Sequence, residues 1–377
     1  MRIRDLGYSP GVMPTGPKNT ILDVPGVGLA QVTVPTDPEN EKAAKEQGKP
    51  CAVKGLTVIL PRPKDKCWLP SHAGTHIFNG NGELTGRTPI ADWGSINMPI
   101  VFTNSCSVGV CFDGAQDFMM DVQEKQGADL MAMARRYGTP NVGETADWWI
   151  NSKLRQTRLR PEDVKRCFDQ IKTGEEGGEV QEGSSGGGAG MMCNGYKGGT
   201  GTSSRLVGGD FGGIEYTVGV LAQTNYGRQQ DLQIGGVPIG RLLEKEGQRP
   251  PADVKKSETA QGRVEAGSLL VLIMTDAPLL PHHGDIFLGV STSEHEGELL
   301  RDKDGKIGKT TETYPVNVVK NESIDAYFEA VGEATEEAIL NSMVGSRDGM
   351  LACDGNFVDG LPVDRVKELL AKYLIVV

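Results

Sequence analysis

The sequence contains no apolar run long enough to cross a membrane, no excess of positive charge and no CxxC pair. A membrane helix needs about 18 or more consecutive apolar residues, so we expect no membrane association. The 39 Lys and Arg residues are outnumbered by 50 Asp and Glu residues, which leaves a net charge of −11. A surface that binds nucleic acid needs clustered positive charge, so we expect no nucleic-acid partner.

The first residues of the chain also lack the apolar core of a secretory signal. Seven cysteines in 377 residues do not form the pattern of a disulfide framework. We therefore expect a cytoplasmic protein with reduced thiols. Glycine is abundant instead, with 51 residues, close to twice the usual share of about 7%. These glycines follow no collagen-like repeat, which indicates tight backbone geometry rather than disorder.

Short apolar runs bounded by glycine and proline predict strands, and 3.6-residue spacing predicts helices. The predicted strands cover residues 56–60, 100–103, 216–222 and 268–274, and the predicted helices cover 115–137, 323–343 and 364–373. The run 268–274 is apolar at every position after Ser268, which is typical of a strand covered on both faces. This pattern predicts a layered α/β or α+β domain. The charged segments 36–50 and 244–266 are predicted to be exposed.

The dipeptide Gly267-Ser268 lies where the polar segment 244–266 ends and the apolar run begins. A glycine turn followed by a strand would explain this dipeptide without any catalytic role. The alternative is self-cleavage, in which the Ser268 hydroxyl attacks the Gly267 carbonyl and water opens the resulting ester. Cleavage would leave Ser268 with a free α-amino group, whose reference pKa of about 7.7–8.0 lets it act as the hydroxyl's own base.

Other candidate motifs have ordinary explanations. Residues 183–187 fit the GxSxG nucleophile elbow around Ser185, but the elbow needs a preceding buried strand and the residues before it are acidic and rich in glycine. His72 and His76 have a spacing found in metal sites, but no HExxH motif is present. Asn225 follows an apolar run, where an amide could donate a hydrogen bond to an oxyanion or simply form a turn before Gly227.

Seven segments together resemble one family of enzymes, and the resemblance covers nearly the whole chain. The segments are 19–27 (NTILDVPGV), 79–86 (NGNGELTG), 103–109 (TNSCSVG), 198–205 (GGTGTSSR), 267–268 (GS), 275–282 (TDAPLLPH) and 333–339 (EATEEAI). The chain resembles the self-processing serine aminopeptidases of the L-aminopeptidase/D-Ala-esterase type, which include the β-peptidyl aminopeptidases.

This resemblance implies an α+β fold, an αββα sandwich like that of N-terminal-nucleophile hydrolases but with different connectivity. It implies a single domain over residues 1–377 that cleaves itself into chains 1–267 and 268–377 and forms a homo-oligomer. It requires no metal or other cofactor. The implied substrates are small peptides, amides or esters with a free amino terminus.

The resemblance also implies a role for each site residue. Ser268 is the nucleophile, released by cleavage after Gly267, and Asn225 supplies the oxyanion contact. Glu144 anchors the amino group of the substrate, and Asp285 is the acidic partner near the amine of the nucleophile.

Two departures from the family pattern stand out. Ala146 replaces a tyrosine that many members carry two residues after the Glu144 position. The family helix between the Pro-His pair and the segment around Asp285 is missing, and His283 occupies the position of a helper serine. These departures motivate an alternative, a catalytically impaired homologue with a binding or structural role. A further alternative is a fold relative that transfers acyl groups, although that group uses a threonine nucleophile.

Overall fold

The computed structural model describes residues 1–77, 79–127, 138–208, 213, 215–248, 268–277, 287–293 and 318–375. The described strands are β1 (Gly28–Pro35), β2 (Val53–Leu60), β3 (Ser71–His76), β4 (Ser95–Ile96), β5 (Ile100–Asn104), β6 (Asn141–Thr145), β7 (Lys172–Thr173), β8 (Met192–Cys193), β9 (Tyr196–Lys197), β10 (Thr200–Gly208), β11 (Glu215–Asn225), β12 (Ser268–Thr275), β13 (Phe287–Ser291), β14 (Met350–Leu351) and β15 (Phe357–Val358). The described helices are α1 (Pro38–Glu46), α2 (Arg87–Trp93), α3 (Val108–Lys125), α4 (Pro161–Asp169), α5 (Ile239–Lys245), α6 (Asp325–Gly345) and α7 (Val363–Tyr373). Among these helices, none is long and apolar enough to span a membrane.

Two mixed sheets form the centre of the molecule. The first has five strands in the order β6-β5-β2-β1-β7, and the second has six in the order β10-β11-β12-β13-β3-β4. Neighbouring strands run antiparallel except for the pairs β5–β6 and β12–β13, which are parallel. The end of β6 and the start of β12 lie together in the region that holds the candidate site.

Each sheet is covered on both faces, which gives four layers. One apolar cluster lies between the sheets and joins Ile59 and Phe102 of the first to Leu221 and Leu272 of the second. A second cluster packs α3 and α4 on the outer face of the first sheet. A third packs α6 on the outer face of the second sheet. The expected αββα sandwich is therefore confirmed.

The alternation of side chains along β12 explains its continuous apolar sequence. Leu270, Leu272 and Met274 face the cluster between the sheets, whereas Leu269 and Val271 face α6. Successive side chains of a strand point to opposite faces, so both sets must be apolar. The strand that begins at Ser268 is consequently part of the core.

The predicted elements are confirmed with two differences. The helix expected over 115–137 begins earlier, at Val108, and is continuous to Lys125; residues 128–137 lie outside the described residues. The segment 36–50 is mostly exposed, as expected, but it contains the helix α1, which was not predicted. Asp37 caps this helix by accepting a hydrogen bond from the Glu39 backbone, and Pro38 lies at the first helical position, both of which favour a helix start.

Buried ion pairs connect the two parts of the chain that self-cleavage would separate. Arg205 of β10 is fully buried and lies 2.9 Å from Glu333 and 2.8 Å from Glu337, both on α6. Arg4 lies 2.7 Å from Glu337 as well. These pairs hold α6 against the second sheet, to which residues 1–248 contribute β10 and β11.

Candidate active site

Ser268 and Asn225 lie side by side at the end of the second sheet. Ser268 is the first residue of β12, Asn225 is the last residue of β11, and the antiparallel register pairs them directly. Residues opposite each other on antiparallel strands have Cβ atoms about 4.5–5.5 Å apart and project to the same face. Ser268 is only 3% exposed. The register therefore places an amide beside the expected nucleophile.

Two backbone groups fix the orientation of the Asn225 amide. Its Oδ1 accepts a hydrogen bond from the Met192 backbone N–H at 3.0 Å, and its Nδ2 donates to the Ala146 carbonyl at 2.8 Å. A side-chain NH₂ group carries two hydrogens, so one remains available after the bond to Ala146. Ala146 lacks the phenol of its family counterparts but contributes this carbonyl.

Glu144 presents a half-buried carboxylate near the end of β6. Its Oε1 accepts a hydrogen bond from the Glu83 backbone N–H at 3.0 Å, and its Oε2 accepts one from the Ser105 hydroxyl. Burial raises the pKa of the Glu144 carboxyl, and the hydrogen bond from Ser105 offsets this only in part. A desolvated carboxylate with fixed orientation can bind an ammonium group strongly.

Gly82 brings Glu144 and Ser268 into one site. A methyl group added to Gly82 would lie 2.9 Å from the Glu144 carbonyl oxygen, 3.3 Å from the Ser268 Cβ and 3.5 Å from the Ser268 Oγ. The backbone of Gly82 thus packs directly against both residues. The structure brings Ser268, Asn225 and Glu144 together, whereas Gly267 and Asp285 lie outside the described residues.

Sequence reasoning assigned no role to Gly82 or Ser105, although both lie in segments that carry the family resemblance. Ser105 directly follows β5, and the parallel pairing of β5 with β6 sets Thr103 beside Glu144. Ser105 and Glu144 are 39 positions apart, so no local spacing connects them. The glycines of the segment 79–86 were the one signal that a backbone approaches closely there.

The competing motifs do not form sites. Ser185 follows bends and turns rather than a buried strand, and its Oγ lies 3.5 Å from Gln181 Oε1; this is not the geometry of a nucleophile elbow. His72 and His76 both lie on β3 rather than on a helix. In the part of the chain that the structure describes, no three His, Cys, Asp or Glu side chains are grouped to hold a metal ion.

Comparison with known proteins identifies the family. The profile of peptidase family S58 matches residues 19–283 and 281–356. The two matched segments overlap at residues 281–283, which lie outside the described residues.

Curated relatives and solved structures agree with this match. The chain is 33% identical to the β-peptidyl aminopeptidase BapA of Sphingosinicella microcystinivorans, over 99% of this chain and 92% of that protein. The BapA of Sphingosinicella xenopeptidilytica is 32% identical, over 98% of this chain and 90% of that protein.

The fold is similar to that of the L-aminopeptidase D-Ala-esterase/amidase of Ochrobactrum anthropi, with a TM-score of 0.75, 32% identity and coverage of 99% of this chain and 98% of that chain. The structure of that enzyme is described as a prototype for the serine aminopeptidases and a new variant among the Ntn hydrolase fold. A β-aminopeptidase of Burkholderia sp. has the same TM-score of 0.75 at 31% identity, with 99% of both chains covered. The chain therefore belongs to peptidase family S58 and is a peptide-bond hydrolase with the fold of the serine aminopeptidases.

Proposed function

We propose that the protein cleaves itself between Gly267 and Ser268 and then acts as an aminopeptidase and amidase through the new N-terminal serine. The observation that carries this proposal is the juxtaposition of Ser268 with Asn225 and, across Gly82, with Glu144. The three residues supply the functions that release of an N-terminal residue needs: a nucleophile, an oxyanion donor and an anchor for the free amine.

Self-cleavage begins when the Ser268 Oγ attacks the Gly267 carbonyl carbon. The C–N bond between the two residues breaks, the acyl group passes to Oγ as an ester, and the nitrogen keeps its own hydrogen and takes up the hydroxyl proton to become the α-amine of Ser268. Water then hydrolyses the ester, which leaves Gly267 with a C-terminal carboxylate. The resulting chains, 1–267 and 268–377, stay associated as one domain because β12 and α6 belong to the shared core.

Turnover follows the same chemistry with an external substrate. The ammonium of the substrate binds Glu144, and the Ser268 hydroxyl attacks the carbonyl while its own α-amine accepts the proton. The free hydrogen of the Asn225 amide stabilises the oxyanion. The α-ammonium returns its proton to the departing amine or alkoxide, and water hydrolyses the acyl-enzyme. No metal or cofactor takes part, and Asp285, the acidic partner of the α-amine, stabilises the ammonium that forms when the amine accepts the proton.

The substrates are small peptides, amides or esters with a free amino terminus. The names of the relatives include both β-peptidyl aminopeptidases and an L-aminopeptidase D-Ala-esterase/amidase, so α- and β-aminoacyl p-nitroanilides are both suitable test substrates. We also propose that the enzyme is a cytoplasmic homo-oligomer. Its seven cysteines are all free thiols, which supports a reducing compartment, and light scattering of the purified protein tests the assembly.

Intact-mass measurement combined with one substitution tests the proposal. The unchanged protein should give two masses, for residues 1–267 and 268–377, and should release p-nitroaniline from an aminoacyl p-nitroanilide. Ser268→Ala should give one uncut mass and no turnover, because it removes the attacking oxygen. Ser185→Ala is the matched control and should be cut and active. Two chains without turnover would favour the impaired homologue, and a single uncut chain after long incubation would exclude self-cleavage.

A further inference from the structure

A buried lysine lies one peptide group away from the Asn225 amide. Lys197 is fully buried, and its Nζ donates hydrogen bonds to the Met191 carbonyl at 3.0 Å and the Gly198 carbonyl at 2.6 Å. Lysine is rarely buried completely. The Met191 carbonyl and the Met192 N–H belong to the same peptide group, and that N–H is the donor to Asn225 Oδ1.

A tight hairpin sets this arrangement. Strands β8 and β9 are joined by Asn194 and Gly195, whose φ angles are 49° and 81°. Two residues of positive φ in an Asn-Gly pair are typical of a type I′ turn, which fixes the register of the strands it joins. Here the register pairs Met192 with Lys197, so the lysine side chain reaches back to the peptide group that contacts Asn225.

Every hydrogen bond in this series points in the same direction. The Lys197 ammonium donates to the Met191 carbonyl, the Met192 N–H donates to Asn225 Oδ1, and Asn225 Nδ2 donates to the Ala146 carbonyl with one of its two hydrogens. Hydrogen bonds in series polarise one another, and the effect is larger in a low-dielectric interior. A positive charge at the start of the series therefore strengthens the Met192 donor, holds Oδ1 away from the site and makes the Nδ2 hydrogens better donors.

We propose that Lys197 is a positioning residue for hydrolysis, which orients and polarises the oxyanion donor Asn225 through the Met191–Met192 peptide group. This inference rests on the proposed function, because it requires Asn225 to contact the oxyanion. Lys197 itself does not touch the substrate. Burial lowers the pKa of Lys197 to about 7, with the nearby Asp147 carboxylate opposing the shift. The two hydrogen bonds use only two hydrogens of Nζ and persist in the neutral amine, whereas the polarisation requires the ammonium form.

Lys54 provides a matched control. It is also buried, and its Nζ also donates to two backbone carbonyls, those of Gln156 and Arg158, but none of these groups bonds to Asn225. Replacing either lysine by methionine removes a buried ammonium with two carbonyl partners. Only Lys197→Met should change the chemical step.

The test is a double-mutant cycle on the cut enzyme, with kcat normalised to the fraction of cut chain measured by mass spectrometry. Lys197→Met should lower kcat by about 10-fold and change KM by less than about 2-fold, since oxyanion contacts form only in the transition state. Lys54→Met should leave kcat within about 2-fold. In an Asn225→Ala background, Lys197→Met should cause no further loss of kcat, because the residue through which it acts is gone.

The outcomes separate this inference from the proposed function. Equal losses of kcat from Lys197→Met in both backgrounds, or no loss in either, would overturn the role of Lys197 and leave that of Asn225 intact. An Asn225→Ala enzyme with unchanged kcat would overturn the oxyanion assignment itself, and with it the inference.

A measurement on the unchanged enzyme covers the case in which the lysine variants do not fold. A crystal structure with a peptide boronic acid on Ser268 should show Asn225 Nδ2 on a boronate oxygen and Met192 N–H on Oδ1. An Asn225 amide flipped the other way, or one without contact to the boronate, would overturn the inference.

Discussion

Gly82 should tolerate no side chain, because the space beside its Cα lies between the side chain of Ser268, the proposed nucleophile, and the backbone of Glu144, the proposed amine anchor. An alanine methyl there would be 2.9 Å from the Glu144 carbonyl oxygen, whereas carbon and carbonyl oxygen atoms usually lie about 3.3–3.6 Å apart. The same methyl would be 3.5 Å from the Ser268 Oγ, in the region that the reacting carbonyl must enter. Either the β6 backbone shifts or the substrate is displaced.

The size of the effect follows from the cost of crowding a packed position. Extra methyl groups in such positions cost about 1–3 kcal/mol, and each 1.36 kcal/mol corresponds to a tenfold change in rate. If this cost falls on the transition state, Gly82→Ala should lower kcat/KM by about 5- to 150-fold. The assay is release of p-nitroaniline from an aminoacyl p-nitroanilide, with intact mass confirming that the variant is cut.

Gly80→Ala is the control in the same segment. A methyl on Gly80 would meet nothing within 4 Å, and neither Gly80 nor Gly82 has a positive φ angle. Both positions therefore accept the alanine backbone, and only Gly82 crowds the site. Equal kcat/KM values for the two cut variants would refute the placement of Gly82 beside the reacting carbonyl.

Three further predictions concern charged side chains. Glu144→Gln should lower kcat/KM by about 10- to 100-fold on substrates with a free amine, since a charge-assisted hydrogen bond contributes about 1.5–3 kcal/mol. N-acetylated substrates should be poor for both the unchanged enzyme and the variant. Equal rates of the unchanged enzyme on free and acetylated substrates would remove Glu144 from this role. The kcat/KM profile should show two ionisations on its acidic side, because the Ser268 α-amine must be neutral to accept a proton and Glu144 must be ionised to bind an ammonium. Burial raises the pKa of Glu144, so its ionisation should lie above the usual carboxyl range and disappear in Glu144→Gln; an unchanged acidic side in that variant would contradict the assignment. Arg205→Met should lower the free energy of unfolding by about 3–5 kcal/mol in urea titrations, because it leaves the buried Glu333 without its arginine and Glu337 with Arg4 alone. Lys165→Ala removes an exposed ion pair with Asp169 and should change that free energy by no more than about 1 kcal/mol.

The same ion pairs predict how stability depends on pH. Burial alone would raise the pKa of Glu337, but the hydrogen bond from Arg4 and the charge of Arg205 outweigh it and hold this pKa below its ordinary value. A carboxyl whose pKa is lower in the folded state than in the unfolded state stabilises the fold at pH values above the pKa of the unfolded state. This stabilisation is lost as the pH falls through the pKa of the folded state. The free energy of unfolding should therefore decline in acid, and Glu337→Gln should reduce the slope.

The local pattern of the sequence was enough to predict most of the fold. The strand at 268–274 was predicted as buried on both faces because it is apolar at every position after Ser268, and the two clusters on either side of β12 confirm the reason. The helix α1 was missed because its surface is charged, although its cap at Asp37, the proline after it and the acidic first turn at Glu39 and Glu41 all favour a helix.

The sequence by itself determined the candidate nucleophile and the family, because the change from a polar segment to a buried strand at Gly267-Ser268 and the motifs around it are local features. Only the tertiary structure decided which groups surround Ser268. Asn225 is 43 positions away in the chain, and antiparallel pairing of β11 with β12 makes it a direct neighbour. Ser105 reaches Glu144 through the pairing of β5 with β6, Gly82 lies near the bridge between Leu84 and Gly143, and the hairpin of Lys197 reaches Asn225 through Met192. These contacts join segments far apart in the chain, so they depend on tertiary packing, which no spacing along the chain encodes.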